Sequence, residues 1–157
     1  MTTSKVLRCY KSLLFSLIAI CLLITINACE PDLSDDQIPL ATFSDIHINL
    51  NLPAYNNLRT VGGYVYLNDG GNRGIILYHQ SASNFIAYDR NCSYQPNNAC
   101  ATVGMHSSTL YMVDDCCGST FDLATGQPTG GVAWRPLRKY QTILSGSELV
   151  ITNSIVE

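Results

Sequence analysis

The segment Ile46-His47-Ile48-Asn49-Leu50-Asn51-Leu52 places apolar residues at 46, 48, 50 and 52 and polar ones between them. A period of two is that of a strand with one buried face, and Pro53 is expected to stop it. Beyond residue 40 no stretch sustains the 3.6-residue period of an amphipathic helix; short apolar runs alternate with turn residues instead. Further strands are predicted over 61–67, 74–79, 84–88, 109–113, 139–144 and 148–152. Asn68-Asp69-Gly70-Gly71-Asn72 and Gln80-Ser81-Ala82-Ser83 are the turns between the early strands, and Ser145-Gly146-Ser147 closes a terminal hairpin. Strands at this spacing predict an all-β fold, a small antiparallel sandwich or barrel in one domain over 41–157.

The N-terminus follows a different pattern. Lys5, Arg8 and Lys11 precede a nearly unbroken apolar run from Leu13 to Ile26. The run is shorter than the roughly 20 apolar residues of a membrane span and has the length and flanks of a signal-peptide core. It ends in Ile26-Asn27-Ala28-Cys29, which resembles a bacterial lipobox. The expectation is a lipoprotein signal over 1–28, with Cys29 as the lipid-bearing residue that holds the protein to a membrane. Residues 29–40 carry four acids and two prolines and read as a flexible acidic tether. An acidic stretch here also resembles the surface-export signal of Bacteroidetes lipoproteins. The expected location is therefore the bacterial cell envelope, on the outer membrane, facing either the periplasm or the surface.

Composition narrows the class. Hydrophobic residues make up 46% of the chain and charged residues 13%, which excludes a highly charged disordered protein. From Cys29 onward six basic side chains face twelve acids, a formal charge of −6. Such a domain has no electrostatic footprint for nucleic acid. Cys92, Cys100, Cys116 and Cys117 remain in the body of the exported domain, an even set for which disulfides are expected.

Two cysteine-bearing loops break the strand pattern, at 88–100 and from 114 onward. The second continues through Gly118-Ser119-Thr120-Phe121-Asp122-Leu123 to Pro136-Leu137-Arg138-Lys139-Tyr140. These motifs, with Ala87-Tyr88-Asp89-Arg90 before Cys92, resemble the Rieske [2Fe–2S] iron–sulfur family over about residues 60–152. In that family one loop is Cys-x-His and the other Cys-x-x-His followed by Gly-Ser-x-Phe, and the cluster is held by two thiolates and two imidazoles. Carried across residue by residue, the four ligand positions hold Cys92, Tyr94, Asp114 and Cys117, and one ligand in four keeps its kind. A phenol that titrates near pH 10 and a hard carboxylate are poor replacements, so no cofactor is expected. The resemblance also implies a loop-to-loop disulfide near Cys100 and Cys116, and leaves Cys92 to pair with Cys117 across the vacated ligand positions. The alternative is Cys92–Cys116 with Cys100–Cys117; adjacent Cys116 and Cys117 are poorly placed to bond to each other. In a reducing compartment Cys92, Cys116 or Cys117 and Asp114 would instead suggest a zinc site, and the export signal argues against that.

Other conspicuous residues have plainer readings. Gly62-Gly63 and Gly130-Gly131 are expected in turns or close backbone approaches. His106 beside Ser107-Ser108 reads as a surface turn, His79 as a half-exposed packing residue, and Arg135, Arg138 and Lys139 as partners for nearby acids. Trp134 is expected in the core or at a rim. Three functions remain in view. The first is a non-catalytic, lipid-anchored envelope protein whose degenerate cluster site is disulfide-bonded and whose role is structural or the binding of another envelope protein. The second is an electron carrier holding [2Fe–2S] or another metal with altered ligands, and the third an enzyme with a reactive thiol.

Overall fold

The computed structural model describes residues 37–156, so the signal and most of the acidic tether lie outside the described residues. The architecture is all-β, with two antiparallel sheets. The larger has six strands: β1 (Ile46–Asn49), β2 (Tyr64–Leu67), β3 (Ile75–Ser81), β4 (Asn84–Asp89), β9 (Lys139–Ser145) and β10 (Glu148–Val156), in the order β1-β10-β9-β4-β3-β2. The smaller is a meander of β5 (Val103–Met105), β6 (Met112–Asp114), β7 (Ser119–Phe121) and β8 (Pro128–Gly130). It is inserted between β4 and β9, strands that pair directly through Ala87 with Tyr140 and Tyr88 with Lys139.

The side chains explain this arrangement. Ile48, Ile75, Leu77, Phe85, Ala87, Tyr140, Leu149 and Ile151 form one buried core, with Val65 and Leu67 packed against it. All six strands of the large sheet feed that cluster, which requires the sheet to curl around it. The opposite face of the β3-β4 pair is buried too. Ile76 and Tyr88 join Cys92, Ala101, Val103, Met112, Phe121, Leu123 and Leu137 in a second core beneath the small sheet. The run Ile75-Ile76-Leu77 is therefore continuous rather than alternating, because both faces of β3 are covered.

Several expected boundaries move. The alternation over 46–52 stays extended only to Asn49; Leu52 is half exposed, and Pro53 opens a 3-10 helix over Pro53–Arg59 instead of merely stopping a strand. Pro is well suited to a first helical position because its fixed φ and missing N–H cost nothing there. The strand expected from Val61 begins at Tyr64. Gly63 lies so close to the 3-10 helix that a Cβ there would overlap the Asn57 carbonyl oxygen. The strand expected over 109–113 is shifted to Met112–Asp114, since Thr109 has φ +59° in a turn. His79, expected to be half exposed, is buried and stacked on Phe85 at 4.3 Å between ring centres. Among the described residues Arg138 pairs with no acid; its guanidinium donates to the Ile38 and Pro39 carbonyls and so ties the end of the tether segment to the domain.

Candidate functional site

The two cysteine loops lie at the same end of the small sheet: residues 90–102 between β4 and β5, and 115–118 between β6 and β7. Three devices hold the first loop. The Arg73 guanidinium donates to Asn91 Oδ1 at 2.6 Å, the Ala99 carbonyl at 2.8 Å and the Asn98 carbonyl at 2.6 Å. Ser93 and Arg135 bond reciprocally: Ser93 Oγ donates to the Arg135 carbonyl at 2.6 Å and Arg135 Nη2 to the Ser93 carbonyl at 2.9 Å. The third device is a disulfide between Cys100 and Cys116, which joins the two loops directly.

The second loop is shaped by Asp114 and Ser119. Asp114 Oδ1 accepts the Cys116 N–H at 2.8 Å, and the Gly118 N–H closes the turn onto the Asp114 carbonyl at 2.8 Å. Ser119 Oγ accepts the Val132 and Ala133 N–H groups at 3.1 and 2.9 Å, docking the segment after β8 onto the loop. Gly131 makes this approach possible. Its φ is +84°, and a Cβ there would stand 2.5 Å from the Ser119 Cα.

Three of the four ligand-position residues converge inside this frame. The sulfurs of Cys92 and Cys117 and a carboxylate oxygen of Asp114 lie within 4.8 Å of one another. Cys92 and Asp114 have no exposed surface, and Cys117 is partly exposed. The Cys117 thiol donates to Asp114 Oδ2 at 3.4 Å, with Ser119 Oγ at 3.1 Å. Cys92 Sγ lies within 4.8 Å of an Asp114 carboxylate oxygen. Burial pushes the Cys92 thiol far above its ordinary range, reinforced by the neighbouring Asp114 and Cys117. Tyr94 packs against the same core, with its phenol 3.5 Å from Gln95 Nε2.

The second expected disulfide is absent. Cys92 and Cys117 are thiols with sulfurs 3.9 Å apart, not bonded to each other, and both lie within 4.8 Å of an Asp114 carboxylate oxygen. The other candidates lie elsewhere. His106 stacks on Tyr111 and bonds Ser108 Oγ at 2.8 Å in a turn. His47 pairs with Glu148 at 2.8 Å on the exposed edge of β1 and β10. Trp134 is about half exposed, with the Arg135 guanidinium 4.9 Å from its ring centre. Cys29 lies outside the described residues.

The sequence reading missed the Arg73 clamp and the role of Asp89. Asp89 is fully buried and accepts from the Asn72 and Asn91 N–H groups, Asn72 Nδ2 and the Tyr140 hydroxyl, which lies 2.7 Å away. The polar residues around Asp89 offered a weak signal, while Arg73 sits in an ordinary turn sequence that offered none.

No family model matches the chain, and no curated protein matches it. Among solved structures it is similar to the ferredoxin of carbazole 1,9a-dioxygenase from Nocardioides aromaticivorans IC177, with a TM-score of 0.46 and 17% identity, over 69% of this chain and 97% of that one.

Proposed function

We propose that this protein is a lipid-anchored component of the bacterial cell envelope. It is built on a Rieske-type scaffold in which two loops that resemble those of a cluster site serve a structural or protein-binding role. The observation that carries this reading is the coexistence of a rigidly held two-loop site with a donor set unsuited to [2Fe–2S]. That cluster takes two thiolates on one iron and two imidazoles on the other. Here two thiols and a carboxylate converge, and no histidine belongs to the group. Cys92 and Cys117 would occupy positions on different irons, yet their sulfurs are only 3.9 Å apart, a separation suited to two ligands of one ion. The residues therefore do not fit the cluster, and no electron-transfer step is derived through it.

Burial makes Cys92 a poor catalytic thiol. The thiolate is the nucleophile, and burial keeps Cys92 protonated. The electron-carrier reading keeps one supporting observation, the convergence of Cys92, Asp114 and Cys117. Iron and acid-labile sulfide in the purified full-length protein separate the readings: their absence is expected, and cluster stoichiometry would establish the carrier. The anchor has its own test. Cys29→Ser is expected to leave an unlipidated precursor that retains its signal segment, and unchanged processing and lipid labelling would contradict lipidation at Cys29.

A further inference from the structure

We propose that Cys92, Asp114 and Cys117 form a mononuclear site for a thiophilic divalent metal ion, with Zn²⁺ the best fit. The inference rests on the reading above in treating the site as free of [2Fe–2S].

The donor spacing is that of a tetrahedron around one ion. Zn–S bonds of about 2.3 Å and Zn–O bonds of about 2.0 Å place two sulfurs about 3.8 Å apart and a sulfur and an oxygen about 3.5 Å apart at tetrahedral angles. The observed Cys92–Cys117 separation is 3.9 Å, and Cys117 Sγ lies 3.4 Å from Asp114 Oδ2. Two edges of a coordination tetrahedron are thus already in place, with the third donor pair inside the same 4.8 Å limit.

Charge points the same way. Asp114 is fully buried, and among the described residues no Lys, Arg or His forms an ion pair with it. A buried carboxylate without a cation is costly. A divalent ion would supply that cation and balance two thiolates and a carboxylate to a net −1. The two thiols give up their protons to solvent as they bind, and nothing is oxidised. Soft sulfur donors exclude Mg²⁺ and Ca²⁺, while Zn²⁺ accepts a mixed sulfur and oxygen set in tetrahedral geometry. The partial exposure of Cys117 leaves the fourth position to water.

The frame is built to hold the donors. Asp114 ends β6 and is paired with Val103 and Ser119 on either side. Cys92 is backed by the second core, and Cys117 directly follows the disulfide-bonded Cys116. The Cys116 N–H and Ser119 Oγ contact the donors without joining the set, as supporting groups around metal ligands do.

The test is titration of the full-length protein, purified in detergent without air, with Co²⁺ as a spectroscopic stand-in. The expected result is one Co²⁺ per chain, with a thiolate-to-cobalt charge-transfer band, intense tetrahedral ligand-field bands and displacement by Zn²⁺. Cys92→Ser and Cys117→Ser should each at least halve the charge-transfer intensity and weaken binding, and the double variant should remove the band. Asp114→Asn should keep it but weaken binding at least about tenfold, and Cys29→Ser should leave it unchanged. Near-ultraviolet circular dichroism of each variant separates loss of a ligand from loss of the fold. A folded parent without the band overturns the metal site, as does a Cys92–Cys117 disulfide in that preparation; both leave the cluster-free scaffold standing. Stoichiometric iron and acid-labile sulfide overturn both.

Discussion

Asp89 shows how much a single buried polar residue organises here. Its four donors come from the turn before β3, the start of the first cysteine loop and β9, so one carboxylate fixes the base of the site. Asp89→Ala would leave all four without their acceptor, and the expected cost is about 3 kcal/mol or more in urea unfolding. Arg73 does the same for the rim. Arg73→Ala removes three charge-assisted bonds and is expected to cost about 1.5–3 kcal/mol, with faster amide exchange confined at first to residues 95–102. Asp122 contributes a pH dependence at the acid end. Its Oδ1 accepts from the Thr125 hydroxyl at 2.7 Å, the Thr125 N–H at 2.8 Å and the Ala124 N–H at 3.1 Å. Chiefly through the Thr125 hydroxyl, these bonds hold its carboxyl below the ordinary value of 3.8. The folded state binds that proton less tightly than the unfolded one, so the contribution is complete above the ordinary value and is lost as pH falls through the lowered one. Urea midpoints measured from pH 6 to pH 3 should fall less steeply in Asp122→Ala than in the parent.

Among the elements, the loops and short strands of the inserted sheet depend on close backbone approach and one covalent link. Gly131→Ala would combine a positive φ with a Cβ against the Ser119 backbone. It is expected to destabilise the fold by about 1–3 kcal/mol, and thermal unfolding would measure it. The Cys100–Cys116 bond spans 16 residues, and the double Ser variant is expected to lose about 3 kcal/mol. Its exchange protection should fall in the two loops and persist in the β9–β10 hairpin. The large strands were readable in advance because each is long enough to show a period or a continuous apolar run. The three-residue strands β5 and β7 were not, because so short a segment has no period and is made extended by its neighbours. The 3-10 helix was missed because its seven residues bury Leu58 alone, which leaves no helical stripe to detect.

At the scale of the molecule, the six-stranded sheet wraps one core and carries a second sheet on its outer face, which sets both cysteine loops at one end of the insertion. The site was half legible in the sequence. Gly118-Ser119-Thr120-Phe121 located Asp114 and Cys117, and the two-loop pattern located Cys92 and Cys100. What the pattern could not convey is that Asp114 lies beside both thiols and accepts from Cys117, because that depends on the register of β6 between β5 and β7. Nor could it reveal Arg73, whose partners lie 18 to 26 residues away along the chain. We propose that these two loops do not hold a [2Fe–2S] centre. Iron and acid-labile sulfide, measured per chain on the full-length protein purified without reductant, test it most directly. Neither is expected in stoichiometric amount; iron and sulfide together in the proportions of a [2Fe–2S] cluster would contradict the account.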